Sequence, residues 1–133
     1  MMNLENQSLE PTVLIVEDDE EIAYVLRFML EREHFQVVHA ADGRAAVAQI
    51  YSMDPPALVL LDLMLPYFDG IQIVGMLRSN PAWRTVPVML LTARAQAATV
   101  ARALDAGADD YITKPFQPVE LMARIRRVMR PAV

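Results

Sequence analysis

Five short apolar runs alternate along the chain with stretches whose apolar residues return every three or four positions. The first run, Thr12-Val-Leu-Ile-Val16, is rich in β-branched residues and stops at Glu17-Asp-Asp-Glu-Glu21, the pattern of a buried strand ending in an acidic loop. Ile22, Leu26, Met29 and Leu30 then recur at helical spacing, behind acids that complement the positive end of the helix dipole. Phe35 to Ala41 predicts a second strand, and Ala45 to Met53, led in by Asp42-Gly43 and ended by Asp54-Pro-Pro56, a second helix. Ala57 to Leu61 is a third strand that stops at Asp62, and a loop with Pro66 and Gly70 leads to a helix over Ile71 to Arg78, stopped by Asn80-Pro81. Val86 to Leu91 predicts a fourth strand stopping at Thr92, with Pro87 near its start, where a missing ladder donor is tolerated. Gln96 to Ala106 follows as a helix closed by Gly107, then a short strand, Asp109 to Thr113, running into Lys114-Pro115. Leu121, Ile125 and Val128 mark the apolar stripe of a last helix.

Parallel neighbours in a sheet need crossover connections, so strict βα alternation implies a five-stranded parallel sheet with helices on both faces. The strand runs lack a period-two pattern, which fits burial from both sides. Such open sheets collect their chemistry at the carboxyl ends of the strands, near the topological switch point.

Composition narrows the class. The 133 residues, 54% hydrophobic and 22% charged, suffice for one core and one domain. A formal charge of −5 is the wrong sign for direct nucleic-acid binding. The absence of cysteine removes disulfides, thiolate nucleophiles and Cys-ligated metals. Residues 1–11 read as a disordered leader without the basic and apolar regions of a signal peptide, and no apolar run is long enough to cross a membrane. The expectation is a soluble cytoplasmic protein without a membrane partner.

At the strand ends stand Glu17-Asp18-Asp19, Asp62, Thr92 and Lys114. Clustered carboxylates repel one another, and a hard divalent ion with oxygen ligands, Mg²⁺ or Mn²⁺, is the natural compensation. Lys114 supplies a point charge for a phosphoryl oxygen and Thr92 a hydroxyl for another, leaving Asp62 as candidate in-line nucleophile. Each feature taken singly has a plainer reading: the acidic run as a helix N-terminus, Asp62 as a turn residue, Thr92 as a β-branched strand residue. Lys114 is more telling, being the single lysine beside eleven arginines. Their joint placement at four strand ends favours the chemical reading.

These residues resemble one family, the receiver domains of two-component response regulators. The likeness runs from about Thr12 to Arg130, in order: Glu17-Asp18-Asp19, Leu-Leu-Asp62-Leu-Met-Leu-Pro66 with Asp69-Gly70, Leu-Thr92-Ala93-Arg94, and Gly107-Ala-Asp-Asp-Tyr111-Ile-Thr-Lys114-Pro115-Phe116. The resemblance implies a receiver domain over residues 12–131 with the flavodoxin-like α/β/α sandwich of strand order 2-1-3-4-5. It implies that Asp62 is the phosphoacceptor of a sensor histidine kinase, and that Glu17, Asp18, Asp62 and the Met64 carbonyl hold Mg²⁺. Thr92 and Lys114 become phosphoryl ligands, and Tyr111 an aromatic switch that follows Thr92. Such a domain catalyses only its own phosphorylation and dephosphorylation. At Glu17 the family also uses Asp, so the longer arm leaves room for a bridging water.

The segment around Lys114 and the last helix most resemble receivers that precede a winged-helix DNA-binding domain, and the sequence leaves open a stand-alone receiver or part of a longer regulator. That likeness implies a phosphorylation-dependent homodimer through the fourth helix, fifth strand and last helix, with Asp105, Asp109 and Asp110 facing Arg124 and Arg126. Val100 replaces a basic partner of Glu120 and predicts an apolar patch there. It also implies a cis Lys114–Pro115 bond that aims the lysine. Met64 and Arg94, two residues beyond Asp62 and Thr92, flank the path of an attacking water; neither is a good base, which predicts slow self-dephosphorylation.

Two other readings stay open. An aspartyl-phosphate phosphohydrolase shares the nucleophile chemistry, but Met64 stands where haloacid-dehalogenase-type hydrolases need an acid/base Asp. A flavin or nucleotide carrier shares the fold, but no Gly-rich loop follows the first strand. His34 and His39 read as a helix-end and a strand-surface residue.

Overall fold

The structure is a computed structural model that describes residues 10–93 and 97–130; residues 1–9 of the leader, residues 94–96 and residues 131–133 lie outside the described part. Ten elements follow in strict alternation: β1 (Thr12–Val16), α1 (Glu20–Arg32), β2 (Gln36–Ala40), α2 (Gly43–Ser52), β3 (Leu58–Asp62), α3 (Gly70–Ser79), β4 (Val88–Thr92), α4 (Ala97–Ala106), β5 (Asp110–Thr113) and α5 (Pro118–Val128). All five strands are parallel, in the order β2-β1-β3-β4-β5.

Alternate strand residues feed two separate cores. Leu14, Val16, Val59, Leu61, Val88 and Leu90 face α2, α3 and α4, whose Ile50, Ile73, Leu77 and Ala103 complete one cluster. Val13, Ile15, Leu58, Leu60, Met89 and Leu91 face α1 and α5, meeting Leu26, Leu30, Leu121 and Ile125. This is why the strand runs show no alternation: β3 and β4 are buried at every position, each large side chain contributing about 1.5–3 kcal/mol. Trp83 is enclosed in the α3–β4 connection at 1% exposure and anchors that loop to the first cluster.

Local chemistry sets the element ends. Asp19, Asp42 and Asp69 cap α1, α2 and α3, and Asp69 forms a reciprocal capping box with Gln72. His34, read as a helix-end residue, closes α1 at φ 67° while Phe35 N–H returns to the Leu30 carbonyl, so Phe35 stays outside β2. Asp62 and Thr92 are the last paired residues of their strands rather than the first loop residues, and Pro87 precedes β4, where its carbonyl accepts Val59 N–H.

Gly70 is required by proximity. A Cβ there would stand 2.8 Å from Leu63 Cα and 2.9 Å from the Asp62 carbonyl oxygen, so α3 starts against the backbone that carries the acidic site.

Candidate functional site

The carboxyl ends of β1, β3 and β4 and the loop after β5 open on one rim. Glu17, immediately after β1, is fully buried; its Oε2 accepts Asp19 N–H at 3.1 Å and its Oε1 faces Lys114 Nζ at 2.6 Å. Asp62, ending the central strand β3, is 5% exposed; its Oδ1 accepts Met64 N–H at 3.0 Å and its Oδ2 meets Lys114 Nζ at 3.1 Å. Asp18 is exposed beside them, and carboxylate oxygens of Glu17, Asp18 and Asp62 lie within 4.8 Å of one another. The Lys114–Pro115 bond is cis.

Burial pushes the Glu17 carboxyl up to about 7, and the Asp62 charge pushes the same way, against the lowering effects of Lys114 and Asp19 N–H. Burial also works against the Lys114 charge, but the two carboxylates outweigh it and hold its pKa above the ordinary lysine value. One ammonium therefore balances three crowded acids only in part. The donors are all oxygens, and Glu17 Oε1 is fully buried with the Lys114 ammonium 2.6 Å away. A hard divalent cation such as Mg²⁺ fits these residues.

Thr92 is buried at the end of β4, opposite Thr113, and its carbonyl accepts Lys114 N–H at 2.7 Å. Tyr111 is half-buried, pairs in register with Leu90 and packs on the α2–α4 side of the sheet. Met64 is 74% exposed at the mouth of the site. Arg94, assigned to the opposite flank of the water path, lies outside the described residues.

The residues assigned to a dimer face divide. Asp105 is exposed, but Asp109 and Asp110 are engaged within the chain: Asp109 with Arg78, and Asp110, 6% exposed, with Arg124 at 3.2 Å and Arg127 at 2.8 Å. Arg126 points elsewhere, into the groove between α1 and α5 with Met29, Arg32, Glu33 and Met122. At ~100° per residue, Glu120, Arg124 and Arg127 share a sector of the helix while Arg126 sides with Val119 and Met122, so the helical repeat held the signal that singles out Arg127. Val100 is 7% exposed, so the expected apolar surface patch at this position is instead part of the interior.

Two contacts escaped the sequence reading. His39, expected on the strand surface, donates from its ring Nε2 to the Glu17 carbonyl at 2.8 Å, bracing β1 where the acidic loop begins. The β3–α3 loop is seated on α2: Gly43 N–H reaches the Pro66 carbonyl, Phe68 covers Gly43 too closely for any Cβ, and the Arg44 guanidinium lies 4.0 Å from the Tyr67 ring centre. No spacing rule links positions 43 and 68.

A doubly covered parallel sheet carries, at its switch point, an acid-and-lysine cluster whose three carboxylates could hold a metal ion, on a flavodoxin-like frame. Residues 13–126 match the family model described as the response regulator receiver domain, and the chain belongs to that family. It is 48% identical over 119 residues to the phosphate regulon transcriptional regulatory protein PhoB of Escherichia coli K12, covering 89% of this chain and 51% of that protein. The DNA-binding response regulator MtrA of Mycobacterium bovis is 40% identical, over 92% of this chain and 52% of its own length. The chain thus spans about half the length of these curated relatives. Among solved structures it is similar to the receiver domain of the sensor histidine kinase PA1611 from Pseudomonas aeruginosa, with magnesium coordinated in its active-site cleft (32% identity, TM-score 0.82, 90% and 98% of the two chains). It is also similar to the chemotaxis regulator CheY4 of Vibrio cholerae (26% identity, TM-score 0.84, 90% and 98%). It is a receiver domain of a two-component response regulator, a class that mostly acts as signalling switches. Among the described residues no helix is long and apolar enough to cross a membrane.

Proposed function

We propose that Asp62 accepts a phosphoryl group from a sensor histidine kinase and that the domain is a switch, catalysing only its own phosphorylation and dephosphorylation. The observation that carries this reading is the Lys114 ammonium joined to both Glu17 and Asp62 at the end of the central strand. Asp62 Oδ attacks phosphorus in line; the phosphorus–nitrogen bond to the donor histidine breaks, and the histidine keeps the electron pair. Lys114 balances charge on one equatorial oxygen, and the Thr92 hydroxyl donates to another. Glu17, Asp18, Asp62 and the Met64 carbonyl would hold Mg²⁺ or Mn²⁺, which when bound would supply charge stabilisation to the phosphoryl group.

Once Thr92 turns toward the phosphoryl group, Tyr111 follows inward, and the surface formed by α4, β5 and α5 changes. A phosphorylation-dependent homodimer through that surface uses Asp105 with Arg124 and Arg127, and requires the Asp110 pairs to be shared or exchanged. Sedimentation velocity with and without beryllofluoride and Mg²⁺ tests the dimer; a monomer under both conditions rejects it.

The reading of Asp62 is tested by intact-mass analysis after treatment with acetyl phosphate and Mg²⁺. One phosphoryl group is expected on the native chain and none on Asp62→Asn or with EDTA. A phosphoryl gain that persists in either control overturns it.

A further inference from the structure

At the edge of the sheet opposite the acidic rim, the Arg78 side chain leaves the last turn of α3 and each of its N–H donors finds an oxygen. Nε and Nη2 donate to the Gly107 carbonyl at 3.0 and 2.8 Å, and Nη1 to the carbonyls of Arg84 and Val86 at 2.9 and 2.7 Å. Nη2 also meets Asp109 Oδ2 at 3.1 Å. Gly107 sits at φ 123°, and a Cβ there would come within 2.8 Å of Arg78 Cγ, so backbone conformation and the arginine stem both require glycine.

The oxygen that Arg78 holds does a second job. Asp109 Oδ2 accepts Val88 N–H at 2.8 Å, while Asp109 N–H donates to the Val88 carbonyl at 2.8 Å. Asp109 thus closes a rung with Val88, its carboxylate standing in for a backbone carbonyl, one residue before β5 begins. β5 has four residues and, among the described residues, β4 as its only strand neighbour. β5 buries Ile112 and exposes Thr113, and a slip of one residue would invert every side chain. Register decides where Tyr111 and Lys114 stand, since Tyr111 pairs with Leu90 and Lys114 N–H reaches the Thr92 carbonyl.

We infer that Arg78, acting through Asp109, is a positioning residue for Lys114 and Tyr111: it locks the register of β5 from the end of the strand remote from the site. The inference deepens the proposed phosphoacceptor reading and rests on it for the consequence at Lys114. Lysine cannot replace this arginine, because a single ammonium cannot span the oxygens gathered by the planar fork. The acids are carried by β1 and β3 while their Lys114 partner follows β5, so a lost lock separates two properties that general destabilisation would reduce together.

The test compares the native chain, Arg78→Lys, Arg78→Ala and Asp109→Asn. Hydrogen exchange in the absence of any phosphodonor is expected to show amides of residues 110–114 losing about tenfold or more protection in each variant, while β1 and β3 keep theirs within about twofold. The initial phosphorylation rate with acetyl phosphate is expected to fall about fivefold or more with Mg²⁺ affinity undiminished. Unchanged protection over residues 110–114 overturns the inference, as does loss spread evenly over all strands or full activity in Arg78→Lys. If Arg78→Ala does not fold, the milder Asp109→Asn carries the same readouts. If the native chain takes no phosphoryl group, the phosphoacceptor reading has failed, and the exchange pattern still decides whether Arg78 holds the register.

Discussion

Glu17 and Lys114 meet at 2.6 Å although their elements, β1 and β5, are separated in the sheet by β3 and β4. The lysine side chain crosses the carboxyl ends of both central strands and touches Asp62 on the way. Replacing it removes the one cationic partner that both buried acids have among the described residues. Lys114→Met is expected to lower the rate of phosphorylation by acetyl phosphate about 100-fold, the usual effect of deleting one preorganised donor to a developing anion. Quench-flow or intact-mass time courses measure it; a loss under about threefold would show that Lys114 is only structural.

The crowded acids predict a folded state that gains from Mg²⁺. At a concentration of 100 times the dissociation constant, binding to the native state alone contributes about 2.7 kcal/mol. Thermal unfolding, followed by fluorescence of the single, buried Trp83, should shift upward with Mg²⁺ and return with EDTA. Glu17→Gln keeps the shape but loses a charged oxygen, and the shift should shrink by about half or more. An equal shift in both proteins would remove Glu17 from the metal site.

Asp110 and Arg126 should behave oppositely on substitution. Asp110→Asn releases Arg124 and Arg127 from a buried carboxylate and is expected to destabilise by about 1–3 kcal/mol in urea unfolding. Arg126→Ala, on the far side of the same helix, should stay within about 0.5 kcal/mol. Equal effects would refute the assignment of Arg127 in place of Arg126.

Gly70→Ala sets a methyl against the backbone of Leu63 and Asp62, whose two atoms are nearer than any side-chain atom that could yield. Overpacking of this kind costs about 1–3 kcal/mol, and the strain falls on the residues that orient Asp62. Lower stability together with slower phosphorylation is expected. A variant with native kinetics would show that the α3 start and the site are independent.

Met64, exposed at the mouth of the site, offers no base to an incoming water. Met64→Asn should shorten the lifetime of phospho-Asp62 about tenfold or more, as read by loss of the phosphoryl mass after the donor is removed. An unchanged decay would show that position 64 does not govern water access.

The sequence by itself determined the order and type of the ten elements, because each strand carries enough apolar residues for burial on both faces and each helix a stripe of its own. It also determined which residues reach the rim: Glu17, Asp62, Thr92 and Lys114 each end or follow an apolar run, and parallel strands bring such ends together. Tertiary structure alone decided what depends on two distant segments meeting in three dimensions. His39 on the Glu17 carbonyl, Phe68 over Gly43 and Arg78 at Asp109 join positions that no helical or strand period relates. The fates of Asp109 and Asp110 belong here too. A carboxylate near an arginine in sequence pattern can face solvent or a partner, and only the packing of α3 and α5 against the sheet paired Asp109 with Arg78 and buried Asp110 against Arg124 and Arg127.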